Sequence, residues 1–354
     1  MIHNFYAGPS IISAALLEEA ATQIISRDEL LSVIEISHRS KRFGDIVDEL
    51  HHLTRELLAL NDDHEVCYLQ GGGRQQFFQI PQNFSQVFKT NYYVDTGNWA
   101  NGAMKEARFF GNTEELASSK ENGYRHIPNW KDDPEDAAYI YTCTNNTIYG
   151  TQFFETPKTN SHLVADMSSD LFGISRDFNA YGLFYAATQK NAGTAGACLV
   201  VVDKKMFNKP EGSVPTMIDY RTHINKKSLY NTPPVFAFVM SLLVLKWIKE
   251  KGGITYFDAA NREKASLLYG ELERNELFEP YANKEDRSVM NAVFTAKNEQ
   301  IEKHFLDRAA KENIVGIKGH RNIGGFRASM YNALPIESVQ VLVDVMQEFE
   351  RTQG

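Results

Sequence analysis

The chain has 354 residues, 43% hydrophobic and 23% charged, with a formal net charge of −8. That is globular composition, at a length that can bury a sizeable core in roughly two domains. The acidic balance, with both signs mixed along the chain, argues against nonspecific binding to nucleic acid or an anionic membrane, but leaves room for local basic pockets that take small anions.

Apolar residues recur at helical spacing over residues 11–25 and again over 43–60,. Short strands follow. Glu65-Val-Cys-Tyr-Leu69 is ended by Gly71-Gly-Gly73, and Asn91-Tyr-Tyr-Val94 precedes a helix over residues 99–109. Ala138-Tyr-Ile-Tyr-Thr142, His162-Leu-Val-Ala165, Leu183-Phe-Tyr-Ala186 and Cys198-Leu-Val-Val-Val202 continue the series. Short buried strands separated by helices predict an α/β fold, a mostly parallel central sheet covered by helices on both faces. Residues 233–249 read as an apolar helix, partly at an interface. After Gly252-Gly253, amphipathic helices over 256–272, 301–312 and 336–349 flank strands near 290–295 and 325–329, an α+β pattern. The expected division is a large domain over 11–255 and a smaller α+β domain made of 1–10 with 256–354, the boundary falling near 250–262.

The first ten residues carry neither a basic n-region nor an apolar h-region, and the longest strongly apolar stretch, residues 235–245, is too short to span a bilayer,. Cys67, Cys143 and Cys198 sit in apolar runs, an odd count without framework spacing. Buried free thiols in a reducing compartment are the economical reading, and a cytoplasmic location is expected. No metal is called for.

Chemistry concentrates around Lys190. It follows the apolar run Gly182-Leu-Phe-Tyr-Ala-Ala-Thr-Gln189 and precedes Asn191-Ala-Gly-Thr-Ala-Gly196. A lysine ending a buried strand is badly placed for solvation, which disfavours the ammonium form and suits a nucleophilic amine. A lone lysine more often just reaches water. Asp166 ends Ser161-His-Leu-Val-Ala-Asp166, 24 residues earlier. In one parallel sheet both residues emerge at the carboxyl edge, where open α/β sheets bind ligands. An aspartate and a lysine there suit pyridoxal phosphate: the lysine holds the aldehyde and the aspartate keeps the ring nitrogen protonated. Alone, Asp166 reads equally well as a helix N-cap. Leu69-Gln-Gly-Gly-Gly-Arg-Gln-Gln-Phe77, between a strand and a helix start, can cradle a phosphate,. Trp99 can stack on a planar ring. His38-Arg39 and His320-Arg321, with Arg327 nearby, are unexpected pairs on an acidic chain and match carboxylate or phosphate,.

These residues, together with Asn4-Phe-Tyr-Ala-Gly-Pro9, Ser37-His-Arg-Ser40, Val94-Asp-Thr-Gly-Asn-Trp99, Asn145-Asn-Thr-Ile148, Ala165-Asp-Met-Ser-Ser169, Gln189-Lys-Asn191 and Ser228-Leu-Tyr-Asn-Thr-Pro-Pro234, give the chain its likeness. Over nearly its whole length it resembles the phosphoserine aminotransferases, class-V pyridoxal-phosphate enzymes of fold type I. The resemblance implies that Lys190 binds the cofactor aldehyde, Asp166 its ring nitrogen, and Trp99 its face. It implies contacts to the cofactor and its phosphate from Gly73, Arg74 and Gln189, with Thr147 near the ring oxygen. Asn231 and Thr232 would complete the phosphate site of the neighbouring subunit, making the enzyme a homodimer with shared sites. Arg327 would hold the substrate α-carboxylate. His38, Arg39, His320 and Arg321 would receive the phosphate of phosphoserine or the side-chain carboxylate of glutamate, the first pair from the other subunit. The implied activity is ping-pong transamination from glutamate to 3-phosphohydroxypyruvate, giving 2-oxoglutarate and phosphoserine in serine biosynthesis, with a phosphorylated hydroxythreonine of vitamin B6 synthesis as a second substrate. Asn146, Thr194 and Ala7 stand where the family commonly has glutamate, proline and, in some members, serine. A desulfurase-like activity would need a mobile, exposed cysteine. A glyoxylate aminotransferase would not need doubled His-Arg pairs, and a scaffold would need none of this set.

Overall fold

The computed structural model describes residues 1–26 and 31–353. A short strand, β1 (His3–Asn4), opens the chain, followed by helices α1 (Ala14–Ile25) and α2 (Lys41–Leu57). Each helix starts on a serine, Ser13 or Ser40, whose side chain accepts a hydrogen bond from the backbone N–H three residues on. That satisfies one of the open donors of the first turn. In α2, Phe43, Val47, Leu50 and Leu53 recur at helical spacing and are buried, so one face packs inward,.

The strand–helix alternation then begins, with β2 (His64–Gln70), α3 (Gly73–Phe84), β3 (Thr90–Asp95), α4 (Asn98–Ala107), β4 (Thr113–Ser118) and β5 (Ala137–Cys143). A hairpin of β6 (Asn145–Asn146) and β7 (Thr151–Gln152) precedes β8 (Leu163–Asp166), β9 (Leu183–Ala187) and β10 (Ala197–Asp203). Seven strands form one sheet in the order β2-β10-β9-β8-β5-β3-β4. β10 runs against both its neighbours and every other pairing is parallel. Strands covered on both faces read as continuous apolar runs, and every residue of β5, β8 and β9 is buried. This is the expected α/β architecture. Within this sheet one strand escapes the sequence reading. β4 is one edge of the sheet, opposite β2, with Glu114 and Glu115 exposed, so it carries no apolar signal.

Two helices, α5 (Tyr220–Asn225) and α6 (Val235–Glu250), complete this half. Ten of the sixteen residues of α6 are buried within their own chain, while Val235, Phe236 and Trp247 stay half-buried. Next come α7 (Gly253–Arg274), β11 (Phe278–Pro280), β12 (Asn291–Ala296), α8 (Glu299–Lys311), β13 (Ile314–Val315), β14 (Phe326–Ser329) and α9 (Ile336–Gln353). Strands β11, β12 and β14 make a three-stranded antiparallel sheet, while β13 pairs with β1. Two apolar cores meet along α7: Ile254 and Phe257 belong to the large one, and Ala265, Leu268 and Leu272 to the second, with Phe5 from the N-terminal segment.

Lys264, also on α7, is 3% exposed and donates to the carbonyls of Met330 (3.0 Å), Tyr331 (2.9 Å) and Leu334 (3.1 Å). Burial pulls its amine down to about 7,. Cys67, Cys143 and Cys198 are free and buried. Burial pushes all three thiols up, so none is a ready nucleophile of the kind a desulfurase needs. Among the described residues no helix is long and apolar enough to cross a membrane.

Candidate active site

Strand register brings the acid and the amine together. Asp166 is the last residue of β8 and sits beside Tyr185 of β9. Strand β9 ends at Ala187, and Lys190 follows in the turn beyond it. Both therefore emerge at the carboxyl edge of the sheet. The turn is strapped by the N-terminal segment: Ser10 N–H donates to the carbonyl of Gln189 and Ser10 Oγ to that of Lys190, each at 2.9 Å. Lys190 itself is half-buried rather than buried. A Cβ on Gly8 would lie 3.6 Å from Lys190 Cγ, so the N-terminal segment packs along the lysine stem.

Asp166 and Lys190 line one cavity of about 460 Å³, with Gly73, Arg74, Trp99, Thr147, Gln189, His320 and Arg327 in its wall. That volume is in the range of small-ligand sites. One end is the start of α3, which no side chain caps. Free N–H groups at a helix start are a ready anion site. Gly73 must be small, since a Cβ would lie 3.2 Å from Ser168 Oγ and 3.3 Å from the Tyr185 ring. Trp99 stands on α4, whose N-cap Gly97 has φ +135°, and a Cβ there would lie 2.6 Å from both Asn146 and Tyr149. Trp99 Nε1 donates to Thr147 Oγ1 at 3.1 Å, which leaves the Thr147 hydroxyl proton for another acceptor. Arg74 holds its guanidinium 5.5 Å from the centre of the Trp99 ring.

The anion donors divide into two groups. Arg327 gives one N–H to the carbonyl of Thr147 at 3.1 Å, while its Nε is buried without a partner. A second cavity, about 410 Å³, opens beside the first, sharing Arg74, Trp99 and His320 and adding Arg321. Burial, then the charges of Arg327 and Arg321, hold His320 below the ordinary imidazole range. Its Nδ1 accepts from Asn322 N–H at 3.3 Å, which assigns the ring proton to Nε2 as a donor. His38, Arg39, Asn231 and Thr232 do not line either cavity of their own chain. Arg39 and Thr232 are exposed, and Asn231 donates to Gln70 at 2.8 Å.

Cys143, Asn145, Ser168 and Ser169 are among the lining residues to which the sequence assigns no role. Each stands at or just past the end of β5 or β8, and all but Cys143 fall within the motifs that carry the family resemblance. Of the three departures from the family pattern, Asn146 braces the turn, donating to the Thr96 carbonyl and accepting from Ile148 and Tyr149. Ala7 lines the cavity and its carbonyl accepts from Tyr331. The Thr194 hydroxyl is buried without a partner. The unpartnered Arg327 Nε, the uncapped α3 start and the Asp166–Lys190 pair together fit a pyridine ring carrying an aldehyde and a phosphate.

Fold and site define a class, and the chain belongs to the class-V aminotransferases, whose family model matches residues 2–342. Within that class it belongs to the phosphoserine aminotransferase family. It is 47% identical to the phosphoserine aminotransferase of Flavobacterium psychrophilum over 350 residues, 98% of each chain. The solved phosphoserine aminotransferase of Bacillus circulans subsp. alkalophilus superposes with a TM-score of 0.97 at 38% identity, covering 100% of this chain and 99% of that one. The PLP-bound phosphoserine aminotransferase of Trichomonas vaginalis superposes with a TM-score of 0.92 at 34% identity, covering 98% of this chain and 100% of that one.

Proposed function

We propose that the chain transfers the amino group of glutamate to 3-phosphohydroxypyruvate, giving 2-oxoglutarate and O-phosphoserine, in a ping-pong cycle with pyridoxal 5′-phosphate. The observation that carries this is one cavity lined by Asp166, Lys190, His320 and Arg327, with Arg321 in the cavity that adjoins it. When bound, the cofactor would supply an electron sink for the carbanion at the substrate Cα. Lys190 would anchor the cofactor and, once released, take the Cα proton as base and return it as acid. Asp166 would accept the hydrogen of the ring nitrogen, Trp99 would cover the ring face, and Thr147 would donate to the ring oxygen. Gly73, Arg74 and Gln189 would hold the phosphate end.

Arg327 would take the α-carboxylate through its unpartnered Nε. His320 and Arg321 would take the distal phosphate of one substrate or the distal carboxylate of the other. Several separate donors adapt to both anions where one rigid fork would not. His38, Arg39, Asn231 and Thr232 would serve the neighbouring subunit's site in a homodimer. The large domain would span 11–255, with 1–10 and 256–354 as the smaller one, and three buried free thiols suit the cytoplasm,.

With glutamate as donor, phosphohydroxypyruvate should exceed glyoxylate in kcat/KM by about 100-fold or more, since the smaller acid would leave the distal donors His320 and Arg321 without an anion. A preference for glyoxylate would remove the substrate assignment. Phosphorylated hydroxythreonine is the second compound to assay. Shared sites have their own test. Arg39→Leu and Lys190→Ala, each poorly active alone, are unfolded together and refolded as a mixture. Hybrid dimers should restore about a quarter of wild-type turnover, because half the dimers are hybrids and each holds one complete site. No recovery would place Arg39 in its own chain's chemistry.

A further inference from the structure

Two tyrosines next to the cavity have no part in that scheme. Asp166 is 7% exposed, and its two oxygens already have protein donors. Oδ1 accepts the backbone N–H of Ser168 at 2.9 Å, and Oδ2 accepts the Tyr185 hydroxyl at 2.9 Å. The Tyr185 hydroxyl in turn lies 2.7 Å from that of Tyr141. A phenol has a single proton, and an ionised carboxylate can only accept. Tyr185 uses its proton on Asp166, so Tyr141 must be the donor to Tyr185. The chain therefore has one polarity, from Tyr141 through Tyr185 to Asp166.

The sheet builds this arrangement. Asp166 registers with Tyr185 on one side and Cys143 on the other, and Tyr141 is two residues before Cys143, on the same face,. Tyr141 and Tyr185 are 1% and 0% exposed. The Tyr141 ring is itself fixed, stacked 4.8 Å from Tyr93, whose hydroxyl meets that of Tyr139 at 2.9 Å. Burial, then the charge of Asp166, push both hydroxyls of the chain well above the ordinary phenol range, so both stay protonated,. Phenylalanine would fill the same apolar space. What tyrosine adds is a donor aimed at a carboxylate in a nearly dry site, where an unbonded charge is costly and a polarised pair of hydroxyls is stronger than one.

We propose that Tyr185, backed by Tyr141, is a positioning residue that orients the Asp166 carboxylate and so sets how firmly the cofactor ring nitrogen is held. This rests on the reading of Asp166 as the ring-nitrogen partner. Apoenzyme is titrated with pyridoxamine 5′-phosphate, followed by tryptophan fluorescence. Tyr185→Phe should weaken binding about ten-fold, the usual scale of a hydrogen bond to a charged group. Tyr141→Phe should weaken it less, about three-fold, by removing only the polarising donor. The double variant should be no worse than Tyr185→Phe, because Tyr141 acts only through Tyr185. In the holoenzyme kcat should fall while KM for phosphohydroxypyruvate holds, since the anion pocket is untouched.

Unchanged affinity in both variants, with only a lower melting temperature, would make the pair structural and overturn the proposal. So would two losses that multiply. Asp166→Asn separates the two levels. Loss of cofactor binding there with wild-type binding in Tyr185→Phe overturns this inference alone. Full activity in Asp166→Asn overturns the reading beneath it.

Discussion

Replacing Lys190 by alanine should cost about 10⁴-fold in turnover and almost nothing in stability. A positioned acid–base group contributes about 10² to 10⁴-fold by itself, and this one would also anchor the cofactor. The turn does not depend on the side chain. It is held through the Lys190 carbonyl by Ser10 Oγ, and through Asn191, whose amide donates to the Leu171 carbonyl at 3.1 Å. The melting temperature should therefore stay within a few degrees of wild type. A small primary amine added to the assay should restore part of the lost rate, because it can enter the vacated space and move the same proton. Turnover within ten-fold of wild type would show that another group is the base.

Arg176→Met should have the largest effect on folding, about 3–5 kcal/mol. Arg176 and Asp170 form an ion pair at 2.6 Å, with side chains 3% and 0% exposed. Asp170 also accepts from Thr144 at 2.6 Å and Gln152 at 3.2 Å, and it directly follows Ser169 in the cavity wall. Removing the guanidinium strands a buried carboxylate, which costs far more than the net worth of the pair. Two neutral donors remain, so the loss stays finite. Urea unfolding should show a lower midpoint at unchanged slope. The added change Asp170→Asn should recover part of the loss by removing the stranded charge. A loss under about 1 kcal/mol would mean that water reaches Asp170.

Much of this was legible before any coordinates. Six of the seven strands of the large sheet announced themselves because both faces of the sheet are covered, leaving unbroken apolar runs such as Ala138-Tyr-Ile-Tyr-Thr142,. The edge strand β4 was silent for the converse reason. Asp166 and Lys190 could be paired from sequence because each stands at or just beyond the carboxyl end of a strand, and a parallel sheet makes such ends meet. Tyr185 could not be seen as the neighbour of Asp166. That pairing needs the strand order, and in the sequence a tyrosine inside an apolar run reads as core. The reasoning from burial also pointed two ways. Burial pulls down the amines of Lys264 and Lys209, yet neither lines the two cavities of the site, and Lys264 faces three carbonyls. Depressed basicity alone would point to Lys264, whereas geometry at the sheet edge points to Lys190.

That contrast makes the deciding measurement simple. The holoenzyme is reduced with borohydride, digested, and its peptides are weighed. The account predicts one pyridoxyl phosphate adduct per chain, carried by Lys190 in the peptide that contains Thr188-Gln189. An adduct on Lys264 or any other lysine, or no adduct on a protein that transaminates, would contradict it.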